Sequence, residues 1–135
     1  MGWQRILMVL AFPLGMESGK LREAVALFNE QKFFECHEVL EVLWRVEKGK
    51  DKRFYQGILQ FAVALEHHKR GNVGGFFKVL QDARQSLEGY PTPYQGIKLQ
   101  KLRDDLEGWW DYAIGRSKTT PGFPHIEFTQ GIILG

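Results

Sequence analysis

The chain has 135 residues, 44% hydrophobic and 25% charged, and a formal net charge of +2 with the two signs interleaved. That composition suffices for one globular core and offers neither a basic stripe for nucleic acid nor a polybasic patch for a membrane surface. A lone cysteine, Cys36, excludes an intrachain disulfide and every zinc site built on cysteine pairs, and it fits a reducing, cytoplasmic compartment.

Residues 3–14 are apolar apart from Gln4, Arg5 and Pro13. The stretch is too short to span a bilayer and lacks a small-residue cleavage site. Three readings are ranked in order: an extension before a start at Met16, a docked terminal segment, and a secretion signal. Ser18 is placed to cap a first helix with the apolar face Leu21, Ala24, Val25, Leu27 and Phe28. Residues 29–32 form a turn. The second helix covers 33–47, with an apolar arc over more than half its circumference, and stops at Gly49.

Asp51 is placed to cap a third helix that reaches Arg70. Its stretch 54–65 carries no charge, the mark of a buried central helix. Gly57 within it costs roughly 1 kcal/mol against alanine, which calls for a close neighbour. Gly71-Asn72 gives the next turn, and Asn72 caps a fourth helix whose stripe is Phe76, Leu80, Ala83 and Leu87 and whose end is Gly89. Thr92-Pro93-Tyr94-Gln95 has the form of a capping box opening the last helix, with Leu99, Leu102, Leu106, Trp109 and Ala113 on its buried face. Beyond Ser117, with Pro121, Gly122 and Pro124, the tail is not helical; Ile126, Phe128 and Ile132 are the residues to hold it on the bundle. The expectation is an all-α bundle of about five helices in hairpin organisation: an extension at 1–16, a bundle domain at 17–116 and a packed tail at 117–135. Segments 34–43 and 74–83 echo one another at an offset of forty residues, which stacked hairpins or coincidence would equally produce.

Ionisable groups inside the apolar pattern are the candidates for function. On the second helix, His37 lies among Phe33, Phe34, Leu40 and Trp44, with Glu41 one turn on. On the third, Gln56, Gln60 and His67 share one face. If the two faces meet, two imidazoles, a carboxylate and two amides form an internal group. The stronger reading is structural, a polar cluster whose members satisfy each other. The alternative is a small-ligand or divalent-metal site of His37, Glu41 and His67, holding zinc, manganese or iron and supporting hydrolysis; no other cofactor is indicated. Glu38 is expected to point to solvent, and His68 to be solvated or helix-terminal.

Complete catalytic motifs are missing. Glu41 stands where H-E-x-x-H requires its second histidine, no Glu-x-x-His pair recurs on two helices, and 71–75 lacks the context of a phosphate loop. Trp44 and Trp109 fall on core stripes. Trp110 and Tyr112 are either packing residues or anchors for a homodimer or a partner groove.

The strings LFNEQKFFECHEVLEVLW, RFYQGILQFAVAL and RGNVGGF resemble the domain of unknown function 309 family, over roughly residues 21–110. The resemblance carries over the motif positions His37, Glu38, Glu41, Trp44, Gln56, Gln60, Gly71 and Asn72. It implies a compact helical bundle of small microbial proteins and no particular activity. This chain departs from the pattern at Cys36 and Phe76, where alanine is expected, and at Gln31, where glycine is expected. The leading functional expectation is a non-enzymatic interaction or assembly module with an unidentified protein partner or a second copy, binding neither nucleic acid nor membrane.

Overall fold

The computed structural model describes residues 16–129. The chain there forms five helices: α1 Met16–Asn29, α2 Phe33–Val46, α3 Asp51–Lys69, α4 Val73–Ser86 and α5 Leu99–Ala113. No strand occurs among the described residues; the β-type pairings are isolated bridges from Ile97 to Tyr94 and to Phe128. The architecture is an all-α bundle. The readings of 1–15 and of Ile132 fall outside the described residues. Among those described, no helix is long and apolar enough to cross a membrane.

Consecutive helices pack on each other, α1 on α2, α2 on α3, α3 on α4 and α4 on α5. The uncharged stretch of α3 is the middle of this stack. Phe54, Tyr55, Ile58, Phe61, Ala62, Ala64 and Leu65 are all at most 1% exposed. Each large side chain so enclosed contributes about 1.5–3 kcal/mol of transfer free energy. The Phe28 ring touches Phe33 and Phe61 at centroid distances of 5.4 and 5.7 Å, which joins α1, α2 and α3. Gly57 meets the expectation of a close neighbour. A Cβ there would stand 2.4 Å from Leu87 Cδ2 and 3.2 Å from Ser86 Cβ. Any larger residue there would force the Leu87 side chain to shift or the two helices apart.

The forty-residue echo falls on real elements, since α2 and α4 are each 14 residues long and begin at 33 and 73. The turns before them place Gln31 (φ 62°) and Gly71 (φ 76°) at equivalent left-handed positions. The hairpin α1–α2 is thus repeated as α3–α4.

Helix starts follow the sequence in part. Asn72 Oδ1 accepts from the Gly75 amide at 3.0 Å, as a cap should. Ser18 is instead already helical. Asp51 lies in the first turn of α3, and its carboxylate accepts the Tyr94 hydroxyl. The capping box at 92–95 is also corrected. Tyr94 and Ile97 exchange backbone bonds of 2.9 and 2.8 Å, with Gln95 and Gly96 at φ 46° and 76°, so the chain turns there and α5 begins at Leu99. Thr92 keeps a capping role from a distance, its hydroxyl accepting from the Gln100 amide at 3.0 Å.

The described part of the tail is pinned to the bundle. Asn29 imitates a peptide unit for Ile126, donating to its carbonyl at 3.0 Å and accepting from its amide at 2.7 Å. Phe123 stacks on Trp109 at 5.7 Å, and the Arg22 guanidinium covers Phe128.

A left-handed non-glycine residue carries a backbone cost of about 1 kcal/mol, partly offset by the greater freedom glycine brings to the unfolded chain. Gln31→Gly is therefore expected to stabilise the protein by about 0.5 kcal/mol in urea denaturation. A loss of stability would show that the turn does not strain Gln31.

Candidate functional site

On α2 the buried arc is Phe33, Cys36, Leu40 and Leu43. His37 flanks that arc and does not enter it. Its Nε2 is 3.5 Å from Glu41 Oε2, and Glu41 Oε1 accepts from Arg45 at 2.6 Å. The side chains of His37 and Glu41 are 28% and 33% exposed, so the pair lies at the edge of the bundle. The expected interior placement is corrected, because α2 turns its other side to α3. Glu38 is exposed, as expected. His37 Nδ1 and Trp44 Nε1, two turns apart on this flank, are enclosed and have no hydrogen-bond partner among the described residues. The Lys52 ammonium sits 3.9 Å from the Trp44 ring centre and donates to the Trp44 carbonyl at 2.5 Å. Cys36 is fully buried, and burial pushes its thiol up to about 12, which fits a packing residue and not a nucleophile.

The polar residues of α3 are engaged elsewhere. Gln60 Oε1 accepts from the Ser86 hydroxyl of α4 at 2.6 Å. Gln56 and Gln60 line an open groove of about 450 Å³ with Arg53, Asp82, Gln85 and Ser86. His67 Nδ1 pairs with the Asn72 amide at 3.1 Å, at the turn into α4. The structure thus joins His37 to Glu41 and Gln60 to Ser86, and sends His67 to a third place. Among the described residues no three His, Cys, Asp or Glu side chains are grouped to hold a metal ion, so His37, Glu41 and His67 form no ligand set.

Two features escaped the sequence. His68 is helix-terminal, in the last turn of α3, as one of its two expected placements had it, but its half-buried ring is also packed, 5.4, 4.9 and 5.8 Å from Phe76, Trp109 and Tyr112, which the sequence did not indicate. The second is a cleft of about 520 Å³ where the start of α3 meets the loop after α4, lined by Gly49, Lys50, Arg53, Gly89, Tyr90, Pro91 and Tyr94. Tyr90, Tyr94 and Phe54 form a triangle of rings at 4.9, 4.9 and 5.7 Å. Tyr90 donates its hydroxyl to the Lys50 carbonyl at 2.5 Å. Arg53 lies over the Tyr90 ring at 4.7 Å and donates to the Ser86 and Gln85 carbonyls at 2.8 and 3.2 Å. The available signal was the Tyr-Pro-Thr-Pro-Tyr run at 90–94 beside Tyr55, since buried phenols need hydroxyl partners.

These phenols hold their protons strongly. Tyr55 is pushed up to about 12 by burial, and Tyr94 up to about 12 by its hydrogen bond to the Asp51 carboxylate. Glu47 nearby is raised by burial and then by the Asp51 and Glu17 carboxylates.

Against known proteins, residues 21–79 match a domain of unknown function, DUF309. The chain carries a DUF309 segment. It is similar to an uncharacterized protein of Aquifex aeolicus, 32% identical over 95 residues that make up 70% of this chain and 28% of that protein. It is also similar to the uncharacterized protein YpuF of Bacillus subtilis, 40% identical over 72 residues, 53% of this chain and 41% of that one. The chain therefore spans less than half the length of the curated relatives it matches. The DUF309 match contains α1 from Leu21 onward, α2, α3 and the first half of α4, hence His37, Glu41, Gln56, Gln60, His67 and Asn72. It leaves out α5 and the Tyr90–Tyr94 side of the cleft.

Because the folded values of Tyr55 and Tyr94 lie above the ordinary 10, their contribution to stability is fully present below pH 10 and is lost as pH rises through about 12. Tyr94→Phe removes one of the two groups. The fall of unfolding free energy with pH across that window is expected to be shallower in the variant, followed by far-UV circular dichroism in urea. Superimposable slopes would mean that the Tyr94–Asp51 bond does not shift the phenol.

Proposed function

We propose that this DUF309 chain is a non-enzymatic assembly module that pairs with a second copy of itself through an exposed patch on α4 and α5. The patch is the observation that carries this reading. Val73 and Phe77 on α4 and Ile114 after α5 are 77%, 39% and 39% exposed, and the Phe77 ring rests against Trp110 at 5.2 Å. The two helices run antiparallel, since Phe76 meets Tyr112 at one end and Arg84 meets Glu107 at the other. Val73 stands one turn before Phe77 and Ile114 one turn after Trp110, so in the antiparallel pair the four side chains form a two-by-two patch across α4 and α5. Monomeric surfaces seldom place several large apolar side chains side by side without a use.

The rim supports a second copy as the occupant. Arg84 binds Glu107 through two bonds of 2.7 and 3.0 Å, Lys78 binds Asp82 at 2.9 Å, and Arg116 stands 3.6 Å from Asp111. The charges around the patch are thus matched in pairs. A two-fold contact sets equal surfaces against each other, and a rim of one sign would repel its own copy. Of the two residues that the sequence left open between packing and anchoring, Trp110 belongs to the patch; Tyr112 packs against His68, Phe76 and Trp109.

Sedimentation equilibrium tests the reading. The unmodified chain is expected to show a monomer–dimer equilibrium that Phe77→Glu abolishes while leaving the helical circular dichroism unchanged. A chain that stays monomeric up to its solubility limit, or a Phe77→Glu variant that dimerises as before, would overturn it.

A further inference from the structure

The tail after α5 folds back along that helix. Pro121 stands beside Gly108, Phe123 stacks on Trp109, Lys101 donates to the His125 carbonyl at 3.1 Å, and Phe128 pairs with Ile97. On its other side the same segment meets α1, through Asn29 at Ile126 and Arg22 at Phe128. Residues 122–128 therefore lie in a groove between α1 and α5, closed at one end by Phe33, whose ring is 5.7 Å from that of Phe123. Pro124 and Ile126 are buried while His125 and Glu127 are exposed, the alternation of an extended chain with one face inward.

The polar groups of the groove are aimed at backbone. Asn29 takes both the amide and the carbonyl of Ile126. The Lys98 amide donates to the Glu127 carbonyl at 2.8 Å, and the Gly96 carbonyl accepts from the Thr129 amide at 2.7 Å. The Trp109 indole donates to the Gly122 carbonyl at 3.3 Å. Main-chain bonds combined with pockets for alternate side chains are a recurring way for proteins to hold an extended peptide. None of these contacts depends on the segment belonging to the same chain. The connector to α5 is built differently. Residues 114–120 are exposed apart from Ser117, and among the described residues their hydrogen bonds stay between Trp110 and Thr119.

We infer that this groove is a docking site for an extended Phe-Pro-His-Ile-Glu-Phe segment and that a second copy supplies it, the two chains exchanging tails. The choice of a second copy rests on the reading of the α4–α5 patch. Ile114 belongs to that patch and stands at the head of the connector, so pairing through the patch brings the two connectors together. Fully extended, residues 114–121 span about 26 Å. The groove contacts are the same from either chain, so exchange neither makes nor breaks them, and only the connector changes conformation. Pairing also holds the neighbour's tail close by, which offsets the advantage of the chain's own. Charge agrees with this occupant. Lys98 and Lys101 each stand 3.4 Å from Glu127, a match that an identical tail reproduces.

Two full-length variants test the inference, each unable to close its own groove. Ile126→Ser spoils the tail and leaves the groove, whereas Asn29→Ala spoils the groove and leaves the tail. Isotope-labelled Ile126→Ser chain is mixed with unlabelled Asn29→Ala chain and followed by NMR. The Trp109 indole and Lys98 amide signals are expected to return, saturably, to their positions in the unmodified chain, together with a two-chain species in sedimentation. Unlabelled Ile126→Ser chain should restore them about tenfold more weakly or not at all, since its tail lacks the buried side chain. Phe128→Ser, at the half-buried end of the segment, takes the place of Ile126→Ser if the latter loses its helical circular dichroism. No return with Asn29→Ala chain, or an equal return with Ile126→Ser chain, would overturn the inference. Phe77→Glu in both chains separates it from the patch: exchange weakened about tenfold supports both, and undiminished exchange keeps the groove while removing the patch.

Discussion

The crossing of α3 over the end of α4 at Gly57 is the constraint from which the rest of the molecule follows. With no side chain at that position, Leu87 and Ser86 come against the α3 backbone. The last carbonyls of α4 then fall within reach of Arg53, and the Ser86 hydroxyl within reach of Gln60. A helix C-terminus leaves several carbonyls without partners, and a guanidinium on the neighbouring helix answers that need. Arg103 of α5 donates to the Leu87 and Tyr90 carbonyls at 3.1 and 2.8 Å, so the third helix at this corner is tied to the same chain end. One missing Cβ thus sets the depth of the crossing, the position of the loop after α4 and the shape of the cleft beside it.

The polar groups inside the helical pattern turn out to be edge groups. His37 and Glu41 border α2, Gln56 and Gln60 border the α3–α4 seam, and His67 closes a turn. Apart from the enclosed His37 Nδ1, these groups are spared the full cost of burial because they keep water on one side. What fills the centre is aromatic. Phe28, Phe33, Phe54 and Phe61 have no measurable exposure, and the ring of His68 is packed among Phe76, Trp109 and Tyr112. The tail completes the enclosure through Phe123 on Trp109 and through the paired bonds of Asn29 to Ile126. The proposed contact with a second copy lies outside this core, on the patch of α4 and α5.

The elements were legible in the sequence because their signals are local. Periodicity located all five helices, Asn72 announced its own cap, and Gly57 inside an apolar run called for a close neighbour. Long-range geometry was not legible. Helical spacing puts His37 and Glu41 on one face and Gln56, Gln60 and His67 on another, but it does not say which faces meet, and these do not. The capping box at 92–95 failed because Gln95 and Gly96 take left-handed conformations and Tyr94 bonds to Ile97, a turn that local residue preferences do not outvote. The tyrosine cleft is assembled from residues about forty apart, Lys50 and Tyr90 or Asp51 and Tyr94, and no window along the chain contains both partners.

The most direct measurement is a double-mutant cycle at the crossing, read as unfolding free energy from urea denaturation. Gly57→Ala alone is expected to cost about 1–3 kcal/mol through overpacking against Leu87, despite alanine's better helix propensity. In a Leu87→Ala background the new methyl group has room, and the same substitution should become neutral or stabilising. Equal costs in both backgrounds would contradict the central role given to the Gly57–Leu87 contact.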